Sequence, residues 1–162
     1  MNEPITEHPT SALFLMWDGT HGGAENYSYR LIQHLRSSFG IDARLLFLSE
    51  GGALGETAVR HGVPSVSLSH ASGFAPLFRT SRLRRYLADL APDIVFVADY
   101  GTAVLCLRRA GYGGRIAVIQ HSGNVRFRNH PGTGLTVFKA RAFRKLLSSR
   151  VDSEIAVSQF MA

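Results

Sequence analysis

The chain has 162 residues, of which 45% are hydrophobic and 19% charged, a balance that suits one folded domain with a single core and excludes a disordered chain. The formal net charge is +6, and the lone cysteine, Cys106, excludes an internal disulfide and a cysteine-rich zinc site. No apolar run approaches the roughly 18 residues of a membrane span, and the opening Met1-Asn2-Glu3-Pro4 carries acid where a secretory signal carries base, so a cytoplasmic location is expected.

In chain order, residues 1–10 hold Pro4 and Pro9 and read as a flexible tail, leaving 11–162 as the domain. Ala12–Trp17 is a buried first strand. After the loop Asp18–Gly23, Ala24, Tyr27, Leu31 and Leu35 recur at helical spacing, predicting a helix to about Phe39 that stops at Gly40. Ala43–Leu48 is the second strand, Gly51–Gly55 a glycine-rich turn, Glu56–His61 a short helix and Val63–Leu68 the third strand. A loop, Ser69–Arg79, precedes a helix over Ser81–Leu90, with Ser81 as its cap and Pro92 barring its continuation. Ile94–Val97 is the fourth strand, Thr102–Ala110 a helix placing Cys106 in the core, and Arg115–Gln120 the fifth strand. A polar loop, His121–Thr133, leads to a basic helix over Gly134–Ser149, and Glu154–Val157 is a sixth strand followed by Ser158 as a cap.

Strands alternating with helices predict an α/β fold: a Rossmann-like, doubly wound parallel sheet of about six strands, in the order 3-2-1-4-5-6, with helices on both faces. Ligands collect at the carboxyl ends of such strands, which directs attention to Asp18–Glu25, Ser49–Gly52, Asp99–Thr102, His121–Asn124 and Ser158. At the first turn, Gly22 and Gly23 let the backbone approach a ligand, and the helix start beyond them offers free N–H groups and a positive dipole end. That suits a phosphate or a sugar hydroxyl, although a plain tight turn needs the same residues. The spacing is not that of a nicotinamide dinucleotide site. Asp152 and Glu154 make an acid-x-acid pair at a strand entrance, the end away from the expected site, and the seven histidines are scattered without metal-ligand spacing.

Gly22-Gly23-Ala24-Glu25 after a first strand resembles the opening of family 4 glycosyltransferases, which have the two-domain GT-B fold. Further pieces follow in the family's order: Gly62-Val63-Pro64, Ala91-Pro92-Asp93-Ile94-Val95, Val118-Ile119-Gln120-His121-Ser122-Gly123, and Asp152 to Ser158. The resemblance covers residues 12–162 and identifies the chain as the N-terminal, acceptor-side half. It implies that Gly22 and Gly23 lie against the diphosphate of a nucleotide-sugar donor and that His121, the catalytic candidate, contacts the transferred sugar. Glu25, Asp99, Ser122 and Ser158 then fall on the acceptor side of the cleft. Glu25 there steadies the helix start and the cleft wall; Ser158 is also readable as a structural cap. The implied reaction is sugar transfer with retention at the anomeric carbon to a sugar or lipid-linked acceptor, with no metal and no other cofactor. The family's second domain, which holds the donor, is absent from these residues, so the half is expected to be inactive alone and to need that domain as its partner.

Relatives often carry a histidine after the fourth strand; here Asp99-Tyr100 stands there, leaving the acceptor open. No acidic residue lies between Asp99 and Asp152, an interval containing Lys139, Arg141, Arg144 and Lys145. These give the basic helix a positive face suited to peripheral contact with anionic membrane, at about 1 kcal/mol per side chain near the surface. Sedimentation with anionic vesicles that fades with salt is the expected outcome; a solvated face is the plainer reading. Tyr112, Phe127, Phe138 and Phe143 are not spaced as a stacking platform, which argues against nucleic acid. The competing function is a non-catalytic Rossmann-like module that binds a phosphorylated ligand or a partner protein.

Overall fold

The computed structural model describes residues 11–20, 22–69, 80–98, 102–120 and 151–156. They form ten elements: β1 (Ser11–Met16), α1 (Gly23–Phe39), β2 (Asp42–Phe47), α2 (Gly52–Arg60), β3 (Ser65–Ser67), α3 (Ser81–Leu90), β4 (Ile94–Val97), α4 (Thr102–Arg109), β5 (Arg115–Gln120) and β6 (Ser153–Ala156). The strands make one six-stranded sheet in the order β3-β2-β1-β4-β5-β6, with every pairing parallel. The expected Rossmann-like, doubly wound architecture is therefore what the chain adopts.

The alternation of strand side chains creates two cores. Leu13 and Leu15 of β1 join Leu46, Val95, Val97, Ile116 and Val118 beneath α3 and α4. Ala12, Phe14 and Met16 point to the other face, where Leu45 and Phe47 meet Tyr29 and Ile32 of α1 and Leu54 and Ala58 of α2. β1 is thus apolar at every position from Ala12 to Met16 because both its faces are covered. Each fully buried Leu or Phe contributes roughly 1.5–3 kcal/mol relative to exposure, and Phe14 stacks on Phe96 of the neighbouring strand at 4.6 Å between ring centroids.

Local signals fix the ends. Gly40 turns left-handed at φ 65°, and the N–H of Ile41 closes α1 on the carbonyl of Leu35. Cys106 is fully buried on α4, and that burial pushes its thiol up to about 11. Two expectations need correction. The run Gly51–Gly55 is not a turn ahead of a short helix: Gly51 caps α2 and the N–H of Gly55 already bonds back to the Gly51 carbonyl. Gly55 is buried inside the helix, where an added Cβ would lie 3.4 Å from the Phe47 ring, an ordinary contact distance. Ser81 is the first helical residue of α3 rather than its cap; Thr80 takes the cap position, with no side-chain capping bond. None of the described helices is long and apolar enough to cross a membrane.

Candidate functional site at the carboxyl edge

Because all six strands are parallel, β1, β2, β4, β5 and β6 end at one edge, at Met16, Phe47, Val97, Gln120 and Ala156. β1 and β4 are neighbours in the sheet although β2 and β3 lie between them in the chain, so the topological switch falls at this pair. The first turn stands on this edge. Beyond the strands, the chain leaving β1 stays beside the chain leaving β2: Leu48 N–H donates to Met16 O at 2.9 Å and Ser49 N–H to Trp17 O at 2.8 Å. Asp18 then folds the chain back on itself, its carboxylate accepting from the N–H of Thr20 at 2.9 Å and from the Thr20 hydroxyl at 2.5 Å.

Gly19 is wedged against the β2–α2 loop. Its N–H donates to Glu50 O at 2.8 Å, and its carbonyl accepts from Leu54 N–H at 3.2 Å. A Cβ at Gly19 would overlap the Gly51 carbonyl, and Gly52, at φ 48°, would put its own Cβ 2.9 Å from the Gly19 oxygen. Bare backbone on both sides is what allows the two loops to meet. Sequence reasoning places positions 19, 51 and 52 in loops at the carboxyl edge but gives them no role; the glycine cluster at 51–55 is the only outward sign.

Gly22 caps α1 in an extended conformation, and its carbonyl accepts the first helical bond from Asn26 N–H at 3.1 Å. No side chain caps the helix start, so the first-turn amides have no capping partner from their own N-cap residue. A side chain at Gly22 would collide with the Glu25 carboxylate, which folds back over the turn from the first turn of α1. That position favours a negative group near the positive end of the helix dipole. At Gly23, by contrast, no described residue lies within 4 Å of where a Cβ would stand. Among the described residues, the backbone is open there.

The remaining expected site residues, His121, Asp99, Ser122, Ser158, Lys139, Arg141, Arg144 and Lys145, lie outside the described residues. The strands leading to His121 and Asp99, β5 and β4, end at the edge that carries the glycine turn. Asp152 sits at the opposite edge, where its carboxylate accepts from Ile116 N–H at 2.7 Å. An open groove between α2 and β3 adjoins the β2–α2 loop, its lining including Gly51, Gly52, Glu56, Arg60, Ser65 and Ser67.

The fold has counterparts among solved structures. The lipopolysaccharide outer core galactosyltransferase WaaB, in its apo form, superposes with a TM-score of 0.60 at 14% identity, covering 93% of this chain and 40% of WaaB. MurG of Acinetobacter baumannii gives a TM-score of 0.62 at 14% identity, covering 94% of this chain and 42% of MurG. The chain therefore spans about two fifths of the length of either protein. No curated protein sequence matches significantly. The family profile described as Glycosyltransferase Family 4 matches residues 21–162, from the first glycine turn to the last residue. The chain belongs to Glycosyltransferase Family 4.

Proposed function

We propose that this domain is the acceptor-side half of a retaining glycosyltransferase, which transfers a sugar from a nucleotide-sugar donor once a donor-binding domain closes over its carboxyl edge. The observation that carries the reading is the backbone at Gly23, open among the described residues, at an uncapped helix start on the edge where β4 and β5 also end. The family match and the coverage of two fifths of WaaB support it. In this reading the donor diphosphate lies against Gly22 and Gly23, where backbone amides and the helix dipole meet negative charge without a metal. His121 hydrogen-bonds the transferred sugar, while Glu25, Asp99, Ser122 and Ser158 border the acceptor. The basic residues Lys139, Arg141, Arg144 and Lys145 hold the domain against an anionic membrane that presents a lipid-linked acceptor. In this reading the half is inactive until that domain supplies the groups that grip the nucleoside.

Gly23→Ala separates this role from folding. Alanine at the first helical position is favoured over glycine by up to about 1 kcal/mol, and its methyl group meets no neighbour among the described residues. The variant is expected to melt no lower than the parent, yet to lose the amide shifts that inorganic pyrophosphate produces at Gly22 and Gly23 in nitrogen-15 spectra. Equal pyrophosphate binding by parent and variant would remove the glycine turn from the donor site.

A further inference from the structure

We infer that the glycine loop between β2 and α2 is the positioning device of the first turn: Gly51 and Gly52 set where Gly22 and Gly23 stand. The inference rests on the diphosphate reading above for its purpose, but not for its geometry.

Contacts join the two loops directly as far as Thr20. Trp17 and Gly19 are tied to Ser49, Glu50 and Leu54 by three backbone hydrogen bonds of 2.8–3.2 Å. Gly19 and Gly51 approach so closely that a Cβ on Gly19 has no room, and the opposing atoms are backbone, which cannot rotate away as a side chain would. The Asp18 carboxylate fixes the next step of the chain through both donors of Thr20. Only Thr20 and His21 then separate the clasp from Gly22, the cap of α1. On the far side the constraint is milder. Gly52 needs its positive φ of 48°, and a Cβ on Gly51 would come within 2.9 Å of the Ser67 hydroxyl and 3.2 Å of the Phe47 ring. The β2–α2 loop is therefore seated on β2 and β3 and presents a fixed backbone surface to the β1–α1 loop. A turn that must meet a ligand with its own amides gains affinity from being held in place beforehand, because ordering costs are already met. Gly19, Gly51 and Gly52 are positioning residues; they do not touch the ligand.

The test uses the nitrogen-15-labelled chain and two variants, Gly19→Ala and Gly52→Ala, with Gly62→Ala as control. Gly62 has a comparable positive φ of 71° but no described residue within 4 Å of an added Cβ, so it carries similar strain without the clasp. The first readout needs no ligand: both clasp variants are expected to shift the Gly22 and Gly23 amide resonances and to speed their hydrogen exchange, while Gly62→Ala leaves them in place. The second is titration with inorganic pyrophosphate, where the clasp variants should bind about tenfold more weakly and the control like the parent. Unmoved Gly22 and Gly23 resonances in the clasp variants, or an equal effect from Gly62→Ala, would overturn the inference. Should the parent itself not respond to pyrophosphate, the diphosphate reading falls, and the ligand-free resonances alone decide the clasp. If Gly19→Ala does not fold, Gly52→Ala, whose intrusion is milder, decides between the two outcomes.

Discussion

At the amino edge of the sheet, side-chain carboxylates join β4 to β1 and β6 to β5, whereas at the carboxyl edge the described loops after β1 and β2 are joined by backbone groups and glycines. Asp93 accepts from the N–H and the hydroxyl of Ser11, at 2.9 and 2.8 Å, joining the starts of β4 and β1. Asp152 accepts from Ile116 N–H at 2.7 Å and joins β6 to β5. Asp42, at the start of β2, is paired with Arg44 at 2.7 Å and Arg36 at 3.4 Å. Across the sheet, the loops after β1 and β2 are joined by main-chain bonds and by the contact of Gly19 with Gly51 and Gly52. The contrast is chemical as well as positional. Acids spent on strand ends stabilise the fold, while glycines at the other edge leave main-chain amides within reach of a ligand.

The sharpest way to break the amino edge is Asp152→Ala. Ile116 is fully buried, and its N–H would lose the acceptor that satisfies it. An orphaned buried donor costs about 1–3 kcal/mol, so the variant should unfold at distinctly lower urea. Pyrophosphate shifts at Gly22 and Gly23 should be unchanged under native conditions. Loss of those shifts in the folded variant would show that the two edges are not independent.

Much of this contrast is legible in the sequence, and the part that is not has a physical cause. The apolar run from Ala12 to Met16 fits a strand covered on both faces, and Gly40 and Pro92 fit the ends of helices α1 and α3. Strand order follows from right-handed crossovers, which leave few alternatives. Gly22-Gly23 is visible because it interrupts an apolar strand and an amphipathic helix that are close together in sequence. The clasp is not visible, since Gly19 and Gly51 are far apart in sequence and glycine carries no side chain to advertise a contact. The same blindness makes Gly51–Gly55 read as a turn: propensity disfavours glycine in helices, but Gly55 lies against Phe47, and packing prevails over propensity. The roles assigned to His121 and Asp99 rest on family resemblance, because their place after β5 and β4 fixes an edge of the sheet and not a side-chain direction.

A smaller effect, opposite in sign, is expected on α1. Ser28 is 1% exposed, and its hydroxyl has no hydrogen-bond partner among the described residues. Removing a buried hydroxyl that is unsatisfied relieves a desolvation penalty, and alanine is also the better helix former. Ser28→Ala should therefore stabilise the domain by about 1 kcal/mol, seen as a higher melting temperature. A destabilised variant would mean that the hydroxyl is satisfied in the folded protein and that this helix carries no such cost.

The smallest effect separates the edges by pH. A hydrogen bond from Arg44 holds the Asp42 carboxyl below its ordinary value of 3.8, against the opposing influence of burial, with the charges of Arg44 and Arg36 adding to the lowering. A carboxylate whose value is lower in the folded state binds fewer protons there than in the unfolded chain, so its contribution is complete above the unfolded value and is lost as pH falls through the folded one. The Asp42 side chain is 43% exposed, so solvent screening keeps the contribution small. Below about pH 4 the parent should therefore lose stability slightly more steeply than Asp42→Asn, which has no proton to take up at this position. Urea midpoints measured across that range would show the difference as a shallower acid limb in the variant. Identical limbs would mean that the Arg44–Asp42 pair persists in the unfolded chain, where residues two apart stay close to one another. In that case Asp93 and Asp152, whose partners are distant in sequence, would be the acids that make the amino edge a property of the fold.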